Sequence, residues 1–317
     1  MELFDIINDK KESLISKLKK IFSSTNINFL IGAGCSSLVI DTLGNLETEI
    51  NNEKDVKIQR EKFEQFKKNI IIRHKNIVPK QIEIYKEFLM FINKILCERD
   101  NSFFPRRANI FTTNYDFFIE TSSEDIPIIL NDGFDRTKPK RNNIFYYSSD
   151  LFFNKVYGKG QLYNYEYEIP SINLIKLHGS ISWREDEGNN KISFQNNFEN
   201  NFFAIMPSKE KFETTVMNKY YYDLLRLYTN ELNRENTILI SMGFSFNDEH
   251  ILEITKRELK NNTLNLILFC YDLVTLQKYI NFFDKFNNVW IIYKNKENEK
   301  FTFEDNIEFL KEIKINE

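Results

Sequence analysis

The sequence predicts an α/β fold built on a doubly wound, mostly parallel sheet. Short apolar runs recur along the chain, and most of them lack the alternation of polar and apolar residues seen in half-exposed strands. Such runs are typical of strands that helices cover on both faces. Segments with helical periodicity lie between several of these runs. Strands that alternate with helices in this way indicate parallel β-α-β units.

The individual elements follow from the same two patterns. The predicted strands lie at 27–31, 109–111, 126–130, 172–177, 237–241, 264–270 and 289–293. The predicted helices lie at 3–22, 80–97, 213–235, 249–260, 273–285 and 304–314. The first helix mixes charged and apolar residues, which indicates an amphipathic helix and not a signal peptide. Together these elements predict a Rossmann-like sheet.

Two segments interrupt the alternation and set the expected domain organisation. Residues 45–105 are polar with helical periodicity, which predicts a helical insertion after the first strand–helix unit. Residues 135–170 have no clear period and are expected to form a small mixed lobe or a loop over the site. We therefore expect a single domain over residues 1–317. Its core is expected at about 23–44, 106–134 and 171–317.

Composition excludes several classes of protein. The formal net charge is −3 and there is no long basic block, so direct nucleic-acid binding is not expected. The three cysteines, Cys35, Cys97 and Cys270, form no C-x-x-C pair, so neither a cysteine zinc site nor a disulfide framework is expected. No apolar run approaches the ~18 residues of a membrane span. These features favour a cytoplasmic protein without a membrane segment.

The positions of the glycines indicate where a ligand would bind. The chain has nine glycines, and five follow predicted strands, namely Gly32, Gly34, Gly133, Gly179 and Gly243. Open α/β sheets bind ligands in the crevice beyond the carboxyl ends of their strands. Glycine there lets backbone N–H groups approach a phosphate. The alternative is that each glycine only forms the turn that ends its strand.

Polar clusters at four of these strand ends carry a family resemblance. They are GAGCS (32–36), TTNYD (112–116), KLHGS (176–180) and GFSFNDEH (243–250). In this order they resemble the sirtuin-like NAD-binding family, over most of the chain from about residue 27. The G-F-S-x-x-D-x-H pattern is similar to a bacterial branch that includes NAD-hydrolysing effectors of anti-phage defence. The resemblance therefore implies that NAD+ binds in the crevice.

The resemblance also implies a role for individual residues. Asn114 and His178 match the family's catalytic asparagine and histidine, and Asp116 matches the carboxylate beside the nicotinamide amide. Both Asp116 and Asp248 have an alternative role as helix caps. The remaining residues that the resemblance places around the nucleotide are Gly32, Ala33, Gly34, Ser36, Thr113, Gly179, Gly243, Ser245, Asp248 and Asp272.

Two departures from the family bear on the reaction. Protein-deacylating sirtuins carry four zinc cysteines, which three cysteines cannot supply, and the stretch CSSLVIDTLGNLE lacks the family's arginine after the GAG motif. Both departures favour an NAD+ glycohydrolase that yields nicotinamide and ADP-ribose or a cyclised form. NAD+ would be its substrate, and the chemistry requires no metal and no zinc. The alternatives are a protein deacylase or ADP-ribosyltransferase, and a non-catalytic module that senses NAD or ADP-ribose.

A freely active NAD+ glycohydrolase would poison its own cell, so the resemblance implies regulation. We expect a homo-oligomer, a separately encoded partner such as a DNA-translocase-type ATPase, or both. The expected biological role is abortive infection, in which NAD+ depletion stops phage multiplication.

Overall fold

The computed structural model describes most of the chain, with gaps. The described residues are 1–7, 11–39, 53, 55–76, 78–99, 104–136, 144–152, 155–158, 166–186, 191–199, 201–205, 219–296 and 299–314. The beginning of the helix predicted at 213–235 and much of the lobe or loop predicted at 135–170 lie outside these ranges. No helix within them is long and apolar enough to cross a membrane.

The secondary structure alternates between strands and helices along most of the chain. The strands are β1 (Glu2–Asp5), β2 (Asn26–Ile31), β3 (Arg107–Thr112), β4 (Leu130–Asn131), β5 (Phe145–Tyr146), β6 (Lys155–Gly158), β7 (Glu166–Ile169), β8 (Ser171–Lys176), β9 (Trp183–Asp186), β10 (Lys191–Phe194), β11 (Thr237–Met242), β12 (Leu264–Phe269) and β13 (Val289–Tyr293). The helices are α1 (Lys11–Ser23), α2 (Val56–Lys75), α3 (Pro79–Glu98), α4 (Phe118–Ser123), α5 (Lys219–Leu232), α6 (Glu249–Glu258), α7 (Leu273–Phe283) and α8 (Phe303–Lys311). Two short 3-10 turns lie at Ala33–Ser36 and Ser149–Leu151.

The central sheet is parallel throughout. Its strand order is β1-β13-β12-β11-β2-β3-β8-β4. Helices α1, α3, α4 and α8 contribute to the apolar core on one face of this sheet, and α5, α6 and α7 contribute to the core on the other. Smaller antiparallel sheets are formed by β5, β10 and β9 and by β6 and β7. The predicted fold class, a doubly wound α/β protein, is therefore confirmed.

Two predicted elements are wrong in extent. The helix predicted at 3–22 begins only at Lys11, because residues 2–5 form edge strand β1 beside β13 and the Phe4 ring packs 5.4 Å from the Trp290 ring. The strand predicted at 126–130 is reduced to Leu130–Asn131. Pro127 lies inside that apolar run and has no N–H group to donate to a neighbouring strand.

The segment predicted as a helical insertion contains α2 and α3. Helix α3 buries one face against the sheet core through Ile84, Phe88, Leu89, Ile92 and Ile95. Its helical periodicity in the sequence is thus the periodicity of a core-facing stripe. The division of the chain into a core and an insertion stays a prediction.

A row of four asparagines, three buried and one half-buried, crosses four strands of the sheet. Asn28, Asn109, Asn173 and Asn131 stand opposite one another in β2, β3, β8 and β4. The Asn109 amide donates to Asn28 Oδ1 at 2.7 Å, the Asn173 amide to Asn109 Oδ1 at 2.8 Å and the Asn131 amide to Asn173 Oδ1 at 3.1 Å. Glu231 of α5 accepts a further bond from Asn109 at 3.0 Å. Only one register of the four strands makes all of these bonds.

Replacing the central asparagine should destabilise the fold. Asn109→Ala would leave buried polar groups of its neighbours unpaired, at roughly 1–3 kcal/mol for each group. We expect the free energy of unfolding to fall by at least about 2 kcal/mol in urea denaturation, with an unchanged m-value. Asn281→Ala on the exposed surface of α7 is the control and should cost less than about 0.5 kcal/mol. Equal losses in the two variants would contradict a stabilising role for the row.

Candidate active site

The expected ligand crevice is at the carboxyl end of β2, from which the strand order extends in two directions. From β2 the sheet continues to β3 and β8 on one side and to β11 on the other. The carboxyl ends of neighbouring strands on either side of such a point form a natural ligand crevice. The four polar clusters follow β2, β3, β8 and β11, so the fold brings them together at one edge of the sheet.

Backbone packing requires the glycines after β2 and β11. A Cβ atom on Gly32 would lie 2.3 Å from the Gly243 carbonyl oxygen, and one on Gly34 would lie 2.9 Å from Gly243 Cα. Gly243 itself has a φ of 60°, a conformation that other residues rarely adopt. The Gly34 N–H donates to the Gly243 carbonyl at 2.9 Å. These glycines therefore let two strand ends touch, and their contact with a pyrophosphate remains a prediction.

Asn114 is buried at the end of β3 and its side chain is held in one orientation. Its amide group donates to the Gly32 carbonyl at 3.1 Å and to Ser36 Oγ at 3.2 Å. Its backbone N–H donates to Thr112 Oγ1 at 3.0 Å. The buried amide oxygen Oδ1 accepts no hydrogen bond from the residues that the structure describes. The Asn114 side chain thus combines a fixed donor group with an acceptor that has no partner among the residues that the structure describes.

Ser36 links three parts of the chain at this point. Its hydroxyl donates to Asp116 Oδ2 at 2.8 Å and lies 2.9 Å from the hydroxyl of Tyr85. Tyr85 comes from α3 and is fully buried. Burial, followed by the nearby Asp116 charge, raises the pKa of Tyr85, so its hydroxyl stays protonated. The sequence gives no sign that Tyr85 lies at the site, because a tyrosine on an apolar helical stripe is typical of a core residue.

Asp116 is buried and both of its carboxylate oxygens have protein partners. Oδ1 accepts the Phe118 N–H of α4 at 3.3 Å, and Oδ2 accepts the Ser36 hydroxyl. Burial raises the pKa of Asp116, whereas the Lys176 charge and these two hydrogen bonds lower it. The carboxylate therefore contacts the first turn of α4, but the N-cap position of that helix is Phe117 and no side chain caps it, so the capping alternative does not hold for Asp116. Its contact with the nicotinamide amide stays a prediction.

His178 lies after β8, beside a carboxylate from the neighbouring cluster. Its Nε2 lies 3.1 Å from Oδ2 of Asp248, and both side chains are buried. The other oxygen of Asp248 caps α6 and accepts the N–H groups of His250 at 3.0 Å and Ile251 at 3.2 Å. Asp248 therefore caps a helix and contacts the imidazole at the same time. The sequence suggested the cap but not the contact with His178.

A buried ion pair lies beneath the Asn114 and His178 loops. Lys176 Nζ lies 2.9 Å from Glu120 Oε1, and the two side chains are 3% and 8% exposed. Burial raises the pKa of Glu120 to about 7, although the Lys176 charge acts in the opposite direction. The KLHGS motif contains Lys176 but carries no local signal for this pairing, and Glu120 belongs to no recognised motif.

The other residues that the resemblance places at the nucleotide lie around the same edge. Thr113 is buried, Ser245 is exposed, and Gly179 has a φ of 89° and packs against the Phe203 carbonyl. Asp272 caps α7 by accepting the Thr275 N–H at 2.8 Å. A nucleotide role for each of these residues, and for Ala33, stays a prediction.

Cys35 and His74 do not have the surroundings of catalytic groups. Burial, together with the Asp116 charge, raises the pKa of the Cys35 thiol, which therefore stays protonated and a poor nucleophile. Burial, followed by the charge of Lys176, lowers the pKa of His74 to about 4, and its ring packs among Phe117, Phe118 and Phe198. Within the described ranges, no three His, Cys, Asp or Glu side chains are grouped so as to hold a metal ion.

Part of the chain matches a known protein family. Residues 108–272 match the model of the family described as "SIR2-like domain", a region that covers just over half of the chain. The matched region includes Asn114 and His178, whereas Gly32–Ser36 precede it. No curated protein matches the chain.

The raised pKa of Glu120 predicts how stability depends on pH. The folded-state pKa of about 7 exceeds the ordinary value of 4.5, so folding takes up a proton between these limits. Stability from this group is complete below pH 4.5 and is lost as the pH rises toward 7. The charged groups that act on Glu120 are Lys176, Asp116 and Arg136.

Glu120→Gln should therefore flatten the decline in the free energy of unfolding between pH 4.5 and 7. Urea denaturation at several pH values would measure this change. Glu124→Gln, at an exposed position next to α4, is the matched control and should leave the profile as in the wild type. Parallel profiles for wild type and Glu120→Gln would show that Glu120 does not titrate in this range.

Proposed function

This chain belongs to the SIR2-like domain family, and we propose that it is an NAD+ glycohydrolase. The family generally consumes NAD. The proposed reaction cleaves the bond between nicotinamide and ribose and yields nicotinamide with ADP-ribose or its cyclised form. Asn114 and His178 are the proposed catalytic residues.

The observation that carries this proposal is the state of the Asn114 side chain. Its amide group is held by Gly32 and Ser36, which directs the opposite oxygen away from those two partners. That oxygen is buried and accepts no bond from any described residue. An unpaired buried acceptor costs stability unless a ligand or water fills the position. Asn114 Oδ1 would accept a hydrogen bond from a ribose hydroxyl or from the attacking water.

His178 would act as the base of the reaction. Asp248 Oδ2 lies 3.1 Å from Nε2 without the alignment of a hydrogen bond, and its negative charge favours a proton on that nitrogen. In the neutral imidazole, Nδ1 is then the basic atom. A positioned general base of this kind contributes about 10²–10⁴-fold to the rate.

Cleavage of the nicotinamide–ribose bond does not require a general acid to protonate the leaving group. Nicotinamide departs from NAD+ as a neutral base, and the ribose passes through a transition state like an oxocarbenium ion. The protein must then orient the ribose and deliver a nucleophile. An asparagine that both donates and accepts, together with a histidine base, can perform these tasks.

The cysteine content supports hydrolysis over protein deacylation. Three cysteines cannot form the four-cysteine zinc module of deacylating sirtuins, and the family's arginine after the GAG motif is missing. An acyl-lysine peptide would therefore lack part of its expected binding loop. These are the reasons for placing simple glycohydrolase chemistry first.

The proposed setting is cytoplasmic anti-phage defence, with NAD+ depletion as the effector step. Similarity of the G-F-S-x-x-D-x-H stretch to the bacterial defence branch supports it. Because uncontrolled turnover would harm the host, we propose control by self-assembly or by a separately encoded partner such as a DNA-translocase-type ATPase.

Loss of the Asn114 side chain should slow turnover strongly while the protein stays folded. Asn114→Ala should slow nicotinamide release by roughly 10²–10⁴-fold, measured by mass spectrometry with NAD+ and NADP+ as separate substrates. The same measurement identifies ADP-ribose or a cyclic product. Asn281→Ala is the surface control. A wild-type protein that binds NAD+ but releases no nicotinamide under any activating condition would disprove the proposed function.

The contact between Asp248 and His178 gives a separate prediction. Asp248→Asn preserves a good helix cap but removes the charge beside the imidazole. We expect kcat to fall by about 10²-fold with little change in the free energy of unfolding. Asp305→Asn, which alters the first turn of α8, is the control and should leave kcat unchanged. Full activity of Asp248→Asn would mean that Asp248 acts only as a cap.

A further inference from the structure

The buried ammonium group of Lys176 has three partners, one for each of its protons. Nζ donates to the backbone carbonyl of Asp116, donates to Ser180 Oγ at 3.0 Å and lies 2.9 Å from Glu120 Oε1. A lysine has three donors and no acceptor, so this set is complete. The proposed reaction, as derived above, does not use Lys176.

Two of these partners belong to the loops that carry the proposed catalytic residues. Asp116 lies two residues after Asn114, and Ser180 lies two residues after His178. Lys176 itself ends β8 and lies two residues before His178. One ammonium group therefore ties the loop after β3 to the loop after β8. Glu120, on α4, anchors it from the third side.

Burying this charge is costly, which indicates a function other than stability. A buried ion pair often contributes no more stability than apolar side chains of the same volume. In this position, however, the pair fixes the distance between the loop that carries Asn114 and the loop that carries His178, and both side chains must contact the same ribose. A misplacement of about 1 Å at a reacting group can lower a rate by about 10²-fold.

We infer that Lys176 is a positioning residue that sets the placement of Asn114 relative to His178. The inference rests on the proposed function for its catalytic consequence. Its structural content, that Lys176 holds the two loops together, is independent of the reaction.

The test uses two variants and a control. Lys176→Met removes the ammonium group that joins the two loops and leaves Glu120 without its cation. Lys176→Met with Glu120→Met removes both charges of the ion pair, so neither member is left without its partner, and it keeps the test possible if the single variant does not fold. Arg107→Met is the control, because Arg107 forms a comparably buried ion pair with Glu231, 3.0 Å away, at the other end of β3.

Three kinds of measurement distinguish a positioning role of Lys176 from a purely stabilising one. They are the free energy of unfolding, kcat and KM for nicotinamide release, and amide hydrogen exchange of peptides that cover 112–118 and 177–182. We expect the double variant to recover most of the stability that Lys176→Met loses. Its kcat should stay about 10²-fold below wild type with KM little changed, and both loops should exchange faster. Arg107→Met should lower the free energy of unfolding but leave kcat unchanged, and its two loops should exchange as slowly as those of the wild type.

Several results would overturn the inference. One is a double variant that recovers kcat together with stability, and another is an Arg107→Met variant that loses as much kcat as Lys176→Met. A third is loop exchange in the double variant equal to that of the wild type. If the wild type releases no nicotinamide, the proposed function fails, and the exchange data alone then decide whether Lys176 holds the loops together.

Discussion

The architecture depends on a parallel sheet that is buried on both faces. Every polar side chain in such a sheet must find a partner inside the protein or lie at the end of a strand. The chain uses both solutions. A row of asparagines crosses β2, β3, β8 and β4 within the sheet. Other polar groups lie after the carboxyl ends of β2, β3, β8 and β11, where the crevice is expected, and Arg107 at the amino end of β3 pairs with Glu231.

The groups at the crevice form connected sets, not isolated side chains. Ser36 joins Tyr85, Asn114 and Asp116, and the backbone of Asp116 leads on to Lys176. His178 and Asp248 form a second set on the adjoining side. These contacts hold the side chains in place before any ligand arrives. Such pre-organisation is what a reaction through a charged transition state requires.

The sequence predicted the sheet well because buried parallel strands are short, apolar and separated by helices. It also predicted which clusters would meet, since the ends of parallel strands share one edge. Contacts between segments that are distant in the sequence could not be predicted from it. Tyr85 was hidden in a helical apolar stripe, and β1 was hidden in an amphipathic segment because edge pairing leaves no local signal. The pairing of Lys176 with Glu120 depends on tertiary packing that no spacing rule records.

Helix α3 shows that a segment inserted between two strands can become inseparable from them. Its Gln81 donates to the Cys35 carbonyl at 2.9 Å, and its Tyr85 contacts Ser36 one residue further on. The same helix fills the core against Phe29 through Phe88. A shortened protein engineered without this helix would lose the support of its glycine turn along with part of its interior. Helix α3 is thus part of the support of the turn at Gly32–Ser36 as well as part of the core.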